Sequence, residues 1–90
     1  MHIEFDNLKR EQTLSERGLD FARAVEVFTG WHLTRADTRM DYAEARFVTA
    51  GWLDARLVVV VWTPRGEVRR IISIRKANDR EIKAITPALG

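Results

Sequence analysis

The segment from residue 56 to residue 63, Arg-Leu-Val-Val-Val-Val-Trp-Thr, is the feature that most constrains the fold. Because β-branched side chains pack well on a pleated sheet, the four valines favour an extended strand. No polar residue interrupts them, which predicts a strand covered on both faces. The chain has 90 residues, enough for one core. We therefore expect a single domain over residues 1–90.

Turn residues flank this segment and indicate an antiparallel meander. A two-residue link at 54–55 is short enough for a hairpin with the preceding strand, predicted over residues 46–53. On the other side, Pro64 fixes φ and Gly66 tolerates positive φ, as a tight turn requires. The next strand is predicted over residues 67–76.

Side chains along that last strand are expected to alternate between the two faces of the sheet. Alternation predicts one side that carries Arg70, Ile72 and Ile74, and another that carries Arg69, Ile71, Ser73 and Arg75. Each face then combines isoleucine with arginine.

The first helix is predicted between a short strand and a glycine. Residues 2–5 suit the strand, and Asp6 or Asn7 caps a helix that runs to about Arg17. Gly18 is expected to end it, since glycine readily adopts the left-handed conformation found after helices.

Two further helices follow from capping and periodicity. Asp20 is the N-cap of a short helix that stops at Gly30. Its apolar residues recur at helical spacing: Phe21, Ala24, Val25 and Phe28. Asn78 and Glu81 resemble a capping box, and Pro87 is expected to end the helix that they begin.

These elements define an α+β fold. A weak strand after Trp31 leads into a polar loop before the meander begins. The predicted architecture is a twisted antiparallel sheet, formed by the N-terminal strand and a three- to four-stranded meander. Two N-terminal helices and one C-terminal helix are segregated from the sheet.

Composition removes several classes of function. The chain has no cysteine, which excludes disulfides, thiolate metal sites and a cysteine nucleophile. His2 and His32 lack the spacing of metal ligands, so we expect no metal site. The sequence contains no glycine-rich phosphate-binding motif, so we expect no nucleotide cofactor. No apolar run is long enough to span a membrane. We expect an unprocessed cytoplasmic protein that needs no cofactor.

Positive charge is concentrated near the C-terminal end, although the net charge is only +2. Residues 65–80 hold six basic side chains against two acidic ones. Such a stretch either forms a solvated strand face or binds an anion, and physics alone favours the solvated face. Arginine suits phosphate, because its planar, permanently charged fork of donors matches the oxygens. An RNA substrate could supply its own 2′-hydroxyl as the nucleophile, leaving the protein to position and stabilise.

Five blocks in order give this sequence its resemblance to a known family. They are IEFD at residues 3–6 with Lys9 after it, RGLDFARAVEVF at 17–28, DYAEARFVTAG at 41–51, LVVVVWTPRG at 57–66 and RRIISIRKANDRE at 69–81. Over residues 3–81 the chain resembles the BrnT family of bacterial toxins from type II toxin–antitoxin systems, which implies the bacterial cytoplasm. The last block is the most specific.

The resemblance implies a RelE-like fold and a metal-independent endoribonuclease that cleaves mRNA to halt translation. It also implies a BrnA-like antitoxin whose ribbon-helix-helix domain binds DNA, so that the toxin meets DNA only through that partner. We expect the antitoxin segment that covers the basic surface to be acidic or amphipathic, because burying unpaired arginines is costly.

Family motifs map onto candidate site residues. The resemblance assigns Arg70 and Arg75 to phosphate binding, Lys9 or Glu44 to proton transfer, and Arg46 to a supporting role. Further RNA contacts are expected from the remaining basic residues of the last hairpin: Arg65, Arg69 and Lys76.

Two departures from the family pattern support an alternative. Relatives often have a lysine-histidine pair where this chain has Glu16-Arg17, and a tyrosine where it has Ile85. A missing aromatic removes a group that could stack on a base or contribute a hydroxyl. The alternative is a catalytically degenerate member that binds the antitoxin and tunes repression of their promoter.

Overall fold

The computed structural model describes residues 1–89, which form one five-stranded sheet and three α-helices. The strands are β1 His2–Glu4, β2 His32–Ala36, β3 Phe47–Leu53, β4 Arg56–Arg65 and β5 Val68–Lys76. The helices are α1 Asn7–Arg17, α2 Ala24–Thr29 after a 3-10 turn at Phe21–Arg23, and α3 Asp79–Leu89. The α+β class is confirmed.

The sheet is mixed, with strand order β1-β5-β4-β3-β2. Strands β2 to β5 form the predicted antiparallel meander, but β1 runs parallel to β5 and pairs with residues 68–70. The prediction of a wholly antiparallel sheet is therefore wrong for β1. No hairpin joins β1 to its neighbour, so neither turn residues nor alternation indicated its direction.

Two tight hairpins build the centre of the sheet. Asp54 and Ala55 both have positive φ, 51° and 60°, which gives the β3–β4 turn the twist that a two-residue hairpin needs. The β4–β5 turn contains Gly66, with φ of 60°. Pro64, predicted to lie in this turn, instead lies in β4 opposite Arg69. The turn begins later than Pro64 suggested because proline also fits near a strand end.

Most of the core lies between one face of the sheet, here called the covered face, and the helical segment 19–28. Its buried side chains include Phe21, Val27, Val58, Val60, Trp62, Ile71 and Ile74. Gly51 permits the close approach of α2, since a Cβ there would come within 2.8 Å of the Val27 Cγ1 atom.

Helix α1 covers part of the outer edge of β5. Asp6 caps its start, Gly18 ends it with φ of 69°, and the Arg17 guanidinium donates to the Ile74 carbonyl at 3.0 Å. These are the predicted ends of the helix. Because β1 pairs only with the beginning of β5, this hydrogen bond satisfies a carbonyl farther along the same edge.

Helix α3 packs against the opposite face, but only over part of it. Leu89 and Ile85 contact the cluster formed by Ala50 and Leu57. The predicted capping box is confirmed, because Asn78 and Glu81 exchange backbone-to-side-chain hydrogen bonds. The prediction that Pro87 ends the helix is wrong. Pro87 lies in the last turn, where its missing N–H removes a single hydrogen bond.

Candidate functional site

The part of the sheet that α3 leaves open carries a group of arginines. Directly paired residues share a face of a sheet, so the register places Arg35 with Val48, Val61 and Ser73, and Arg75 with Val59, Ala50 and Leu33. Arg70 lies opposite Thr63 on the same side. We call this surface the arginine face; its guanidinium groups are Arg35, Arg39, Arg46, Arg70 and Arg75.

A β-bulge brings Arg70 and Arg75 to this common face. The β4–β5 register shifts between Val61, which pairs with Ser73, and Trp62, which pairs with Ile71. Ile72 is the extra residue on β5. The predicted alternation is therefore wrong beyond Ile71, since strict alternation would have separated the two arginines.

The centre of the arginine face is a concavity of about 160 Å³. Valines from β3 and β4 and the hydroxyl-bearing Ser73 line it together with three guanidinium groups. The full lining is Arg35, Arg39, Val48, Val59, Val61, Ser73 and Arg75. An apolar floor ringed by positive charge favours a ligand that has both a flat apolar part and an anionic part.

Arg75 is held by a carboxylate from the start of α3. Its two terminal nitrogens contact the Glu81 oxygens at 2.7 and 2.8 Å. Hydrogen bonding to Arg75 lowers the pKa of Glu81 to about 2. Glu81 is therefore ionised near neutral pH, where it orients Arg75 and partly neutralises it rather than exchanging protons.

Arg70 has a looser partner. Its Nη1 atom lies 3.6 Å from the Glu4 carboxylate, and both side chains are partly exposed. A separation of this size is an ion pair without a short hydrogen bond. Arg70 is consequently the less firmly paired of the two β5 arginines.

The loop that joins β2 to β3, residues 37–46, is organised by Asp37, whose side chain is only 2% exposed. Arg39 donates to both carboxylate oxygens at 2.9 and 2.8 Å, and the Tyr42 hydroxyl donates at 3.2 Å. These contacts, led by that of Arg39, hold the pKa of Asp37 well below its usual range. The loop therefore has a fixed, ionised anchor.

Tyr42 and Arg46 extend this anchor toward the centre of the face. The Arg46 guanidinium carbon lies 4.1 Å from the centroid of the Tyr42 ring, a cation–π distance. The Arg46 Nε atom is buried and has no hydrogen-bond partner among the described residues. A buried donor without a protein acceptor is the kind of group that a ligand or water satisfies.

A family profile described as "Ribonuclease toxin, BrnT, of type II toxin-antitoxin system" matches residues 5–81. The chain belongs to the BrnT family of ribonuclease toxins. No curated protein matches it. The matched range contains the whole arginine face, whereas β1 and most of α3, with Ile85, lie outside it. A type II system pairs its toxin with a protein antitoxin, so membership implies a protein partner and an RNA substrate.

The structure brings together three of the residues that the BrnT motifs indicated. Arg70 and Arg75 lie on the arginine face, and Arg46 joins it through Tyr42. Glu44 pairs with Arg65 at 3.2 Å where the β4–β5 hairpin borders this face.

Three other predicted residues lie elsewhere. Lys9 is exposed on α1, and within residues 1–89 its ammonium group makes no hydrogen bond or ion pair with the arginine face. Lys76 follows Arg75 and therefore points to the opposite side, near Leu14 and Arg17. Arg69 lies on the covered face, with its guanidinium carbon 4.6 Å from the Phe28 ring centroid and 4.5 Å from that of Trp62.

Sequence reasoning missed four residues that shape the site: Arg35, Asp37, Arg39 and Tyr42. All four lie in or beside the polar segment that was assigned as a loop. The signal available in the sequence was two arginines and a tyrosine next to an acidic residue, interrupted by few apolar residues. Their convergence on β5 required the tertiary fold.

The described residues contain no group of three or more histidine, cysteine, aspartate or glutamate side chains that could hold a metal ion. No helix within residues 1–89 is long and apolar enough to cross a membrane. The chemistry that this surface offers is binding and charge stabilisation by arginine.

Proposed function

We propose that this BrnT-family ribonuclease cleaves mRNA on the arginine face, without a metal ion, and that a BrnA-like ribbon-helix-helix antitoxin neutralises it. The observation that carries the proposal is the bulge at Ile72, which sets Arg70 and Arg75 on one face with three further guanidinium groups. Their carboxylate partners are Glu4, Asp37 and Glu81, so positive charge remains in excess.

Arginine can serve this reaction without acting as an acid or base. Arg70 and Arg75 hold the scissile phosphate and stabilise the charge that develops on its oxygens in the transition state. Arg46 supports them, and the substrate's 2′-hydroxyl is the nucleophile. Proton transfer is assigned to Glu44 or Lys9. The contact of Glu44 with Arg65 at the border of the face favours Glu44.

Cleavage of a purified mRNA in the presence of EDTA tests the enzymatic proposal. We expect defined fragments from the wild-type protein and none from an Arg70→Ala, Arg75→Ala double variant. Fragments that appear only after divalent ions are restored would contradict metal independence. An intact transcript, under conditions in which translation still stops, would contradict mRNA cleavage.

The alternative is a binding module that complexes the antitoxin and tunes repression without cleaving RNA. Two observations favour it: Glu81 occupies both terminal nitrogens of Arg75, and Ile85 packs on an apolar cluster where relatives often carry tyrosine. Induced expression without the antitoxin separates the two functions, because a pure binding module should not arrest growth.

The antitoxin proposal has its own support in the charge of this surface. Covering several guanidinium groups is favourable only if the partner brings acidic or amphipathic residues. We expect the isolated toxin to leave promoter DNA unshifted in an electrophoretic assay and the toxin–antitoxin complex to retard it. Retardation by the toxin alone would contradict indirect DNA binding.

A further inference from the structure

The β2–β3 loop brings one arginine close to two others around the concavity. Arg39 lies in the loop, and Arg35 lies at the end of β2; both line the same concavity as Arg75. Three guanidinium groups around one concavity repel one another: the pKa of Arg75 is raised, chiefly by its hydrogen bonds to Glu81, and the charge of Arg39 opposes that rise. Some group must hold Arg39 in place before any anion arrives.

Asp37 is the group that does so. Its carboxylate accepts from the Arg39 Nε and Nη2 atoms and from the Arg39 backbone N–H, and its own N–H donates to the Arg46 carbonyl at 2.8 Å. The Tyr42 hydroxyl completes the set. Asp37 thereby contacts both ends of a ten-residue loop that contains no helix or strand, through its side chain at Arg39 and through its backbone N–H at Arg46.

The carboxylate of Asp37 is unsuited to chemistry of its own. Its side chain is almost fully buried, and its oxygens are occupied by Arg39 and Tyr42. Its pKa is lowered, chiefly by the hydrogen bonds from Arg39, so that it neither gives nor takes a proton near neutral pH. Its effect on a reaction must pass through the residues that it holds.

We propose that Asp37 is a positioning residue that fixes Arg39, the residue that the loop contributes to the lining of the RNA-binding concavity. Arg39, with 68% of its side chain exposed, contacts a phosphate beside the scissile one. Tyr42, which donates to the same carboxylate, lies against Arg46, whose guanidinium carbon is 4.1 Å from the centroid of the Tyr42 ring. The inference rests on the arginine face being the RNA site, and it adds a preorganised wall to that site.

Asp37→Asn tests the inference, because it removes the charge with little change in shape. The matched control is Asp41→Asn, an exposed residue of the same loop that loses the same charge. We expect Asp37→Asn to raise KM for RNA about tenfold, because Arg39 would no longer be held for one charge-assisted contact with the RNA. The value of kcat should change less than about twofold. Asp41→Asn should match the wild type.

A double-variant comparison shows whether Asp37 acts through Arg39. Arg39→Ala removes the side chain that Asp37 holds and should raise KM by the same factor as Asp37→Asn. KM is measured at a temperature where the variant is folded, because the buried Asp37 carboxylate loses its main partner. Combining the two substitutions should add nothing further. Additive effects, or a loss confined to kcat, would overturn the positioning role.

Tyr42 provides a readout that does not depend on catalysis. It is the only tyrosine in the chain, so 3-fluorotyrosine labelling gives one fluorine resonance. We expect this resonance to move in Asp37→Asn but not in Asp41→Asn, and to move in the wild type when a single-stranded 2′-O-methyl RNA is added. That RNA binds but cannot be cleaved, since its 2′-oxygen is blocked.

The outcomes separate this inference from the proposed function. Suppose that the 2′-O-methyl RNA shifts the resonance but the wild type never cleaves the unmodified RNA. That result would contradict cleavage and leave Asp37 as a positioning residue for binding. Asp37→Asn that behaves as Asp41→Asn in both the resonance and KM would overturn the inference. Loss of folding in Asp37→Asn would transfer the test to Arg39→Ala, whose unchanged KM would overturn it equally.

Discussion

On the covered face, Arg69 lies over the rings of Phe28 and Trp62, whereas one residue later Arg70 projects from the opposite face toward Glu4. The first arginine packs its charge on aromatic rings, and the second has only a loose partner at 3.6 Å. The same residue type therefore stabilises the fold on one side of the sheet and is available for a ligand on the other.

The contrast extends to the ion pairs of the two regions. Near the helices, Arg23 contacts Glu26 and Asp54, and Arg10 contacts Asp20, so these guanidinium groups tie secondary structures together. On the arginine face the carboxylates aim arginines at a shared concavity. Arg39 and Arg75 are thus held beside a common concavity, whereas Arg10 and Arg23 join secondary structures to one another.

The largest effect should come from removing both β5 arginines of the arginine face. We expect Arg70→Ala with Arg75→Ala to reduce RNA cleavage at least about 100-fold, since each removes stabilisation of transition-state charge. Growth arrest on induction should disappear while circular dichroism and antitoxin binding persist. Retained toxicity in this variant would place the chemistry elsewhere and break the comparison.

A smaller effect, on stability alone, is expected from the covered face. Ile74 is fully buried and precedes Arg75 in the sequence. Its substitution by valine should lower the unfolding free energy of the protein by about 1 kcal/mol. Thermal unfolding should then occur several degrees lower, about 4–8 °C, with kcat unchanged. A fall in kcat at a temperature where the variant is folded would show that the two faces are coupled.

The smallest effect should come from the Glu81–Arg75 pair. The pKa of Glu81 is lowered to about 2 from its ordinary value of 4.5, so its stabilisation is fully present above pH 5. That stabilisation is lost as pH falls toward 2, because the native carboxylate must then be protonated. Glu81→Gln should be less stable than the wild type by up to about 1 kcal/mol at pH 7, and the difference should vanish near pH 2. Denaturant titrations at both pH values measure this, and a constant difference would contradict the assignment.

Local sequence was sufficient for the elements whose cause is local. The valine run, Gly18 after the first helix, and the Asn78–Glu81 capping box each act within a few residues, and the structure contains all three. The prediction from Pro87 was wrong because a proline in the last turn of a helix costs little stability. Whether Pro87 lies in the last turn depends on where the helix ends, which the local sequence did not indicate.

The candidate site was less accessible from the sequence, for two physical reasons. The bulge at Ile72 is imposed by pairing with β4, since neither glycine nor proline marks it, yet it decides which face Arg70 shares with Arg75. Asp37 contacts only nearby residues, Arg39 and Tyr42, but its burial depends on the packing of the whole fold. Loop residues without periodicity give no indication of such contacts.

The neighbouring pair Arg69 and Arg70 offers the most direct test of the central claim that RNA cleavage belongs to the arginine face. Single-turnover cleavage of one RNA, with EDTA present, should be compared for the wild type, Arg69→Ala and Arg70→Ala, together with their unfolding free energies. We predict that Arg70→Ala cleaves about 100-fold more slowly at nearly unchanged stability, whereas Arg69→Ala loses about 1 kcal/mol of stability and keeps its rate. Equal loss of rate in both variants, or loss in Arg69→Ala alone, would contradict the account.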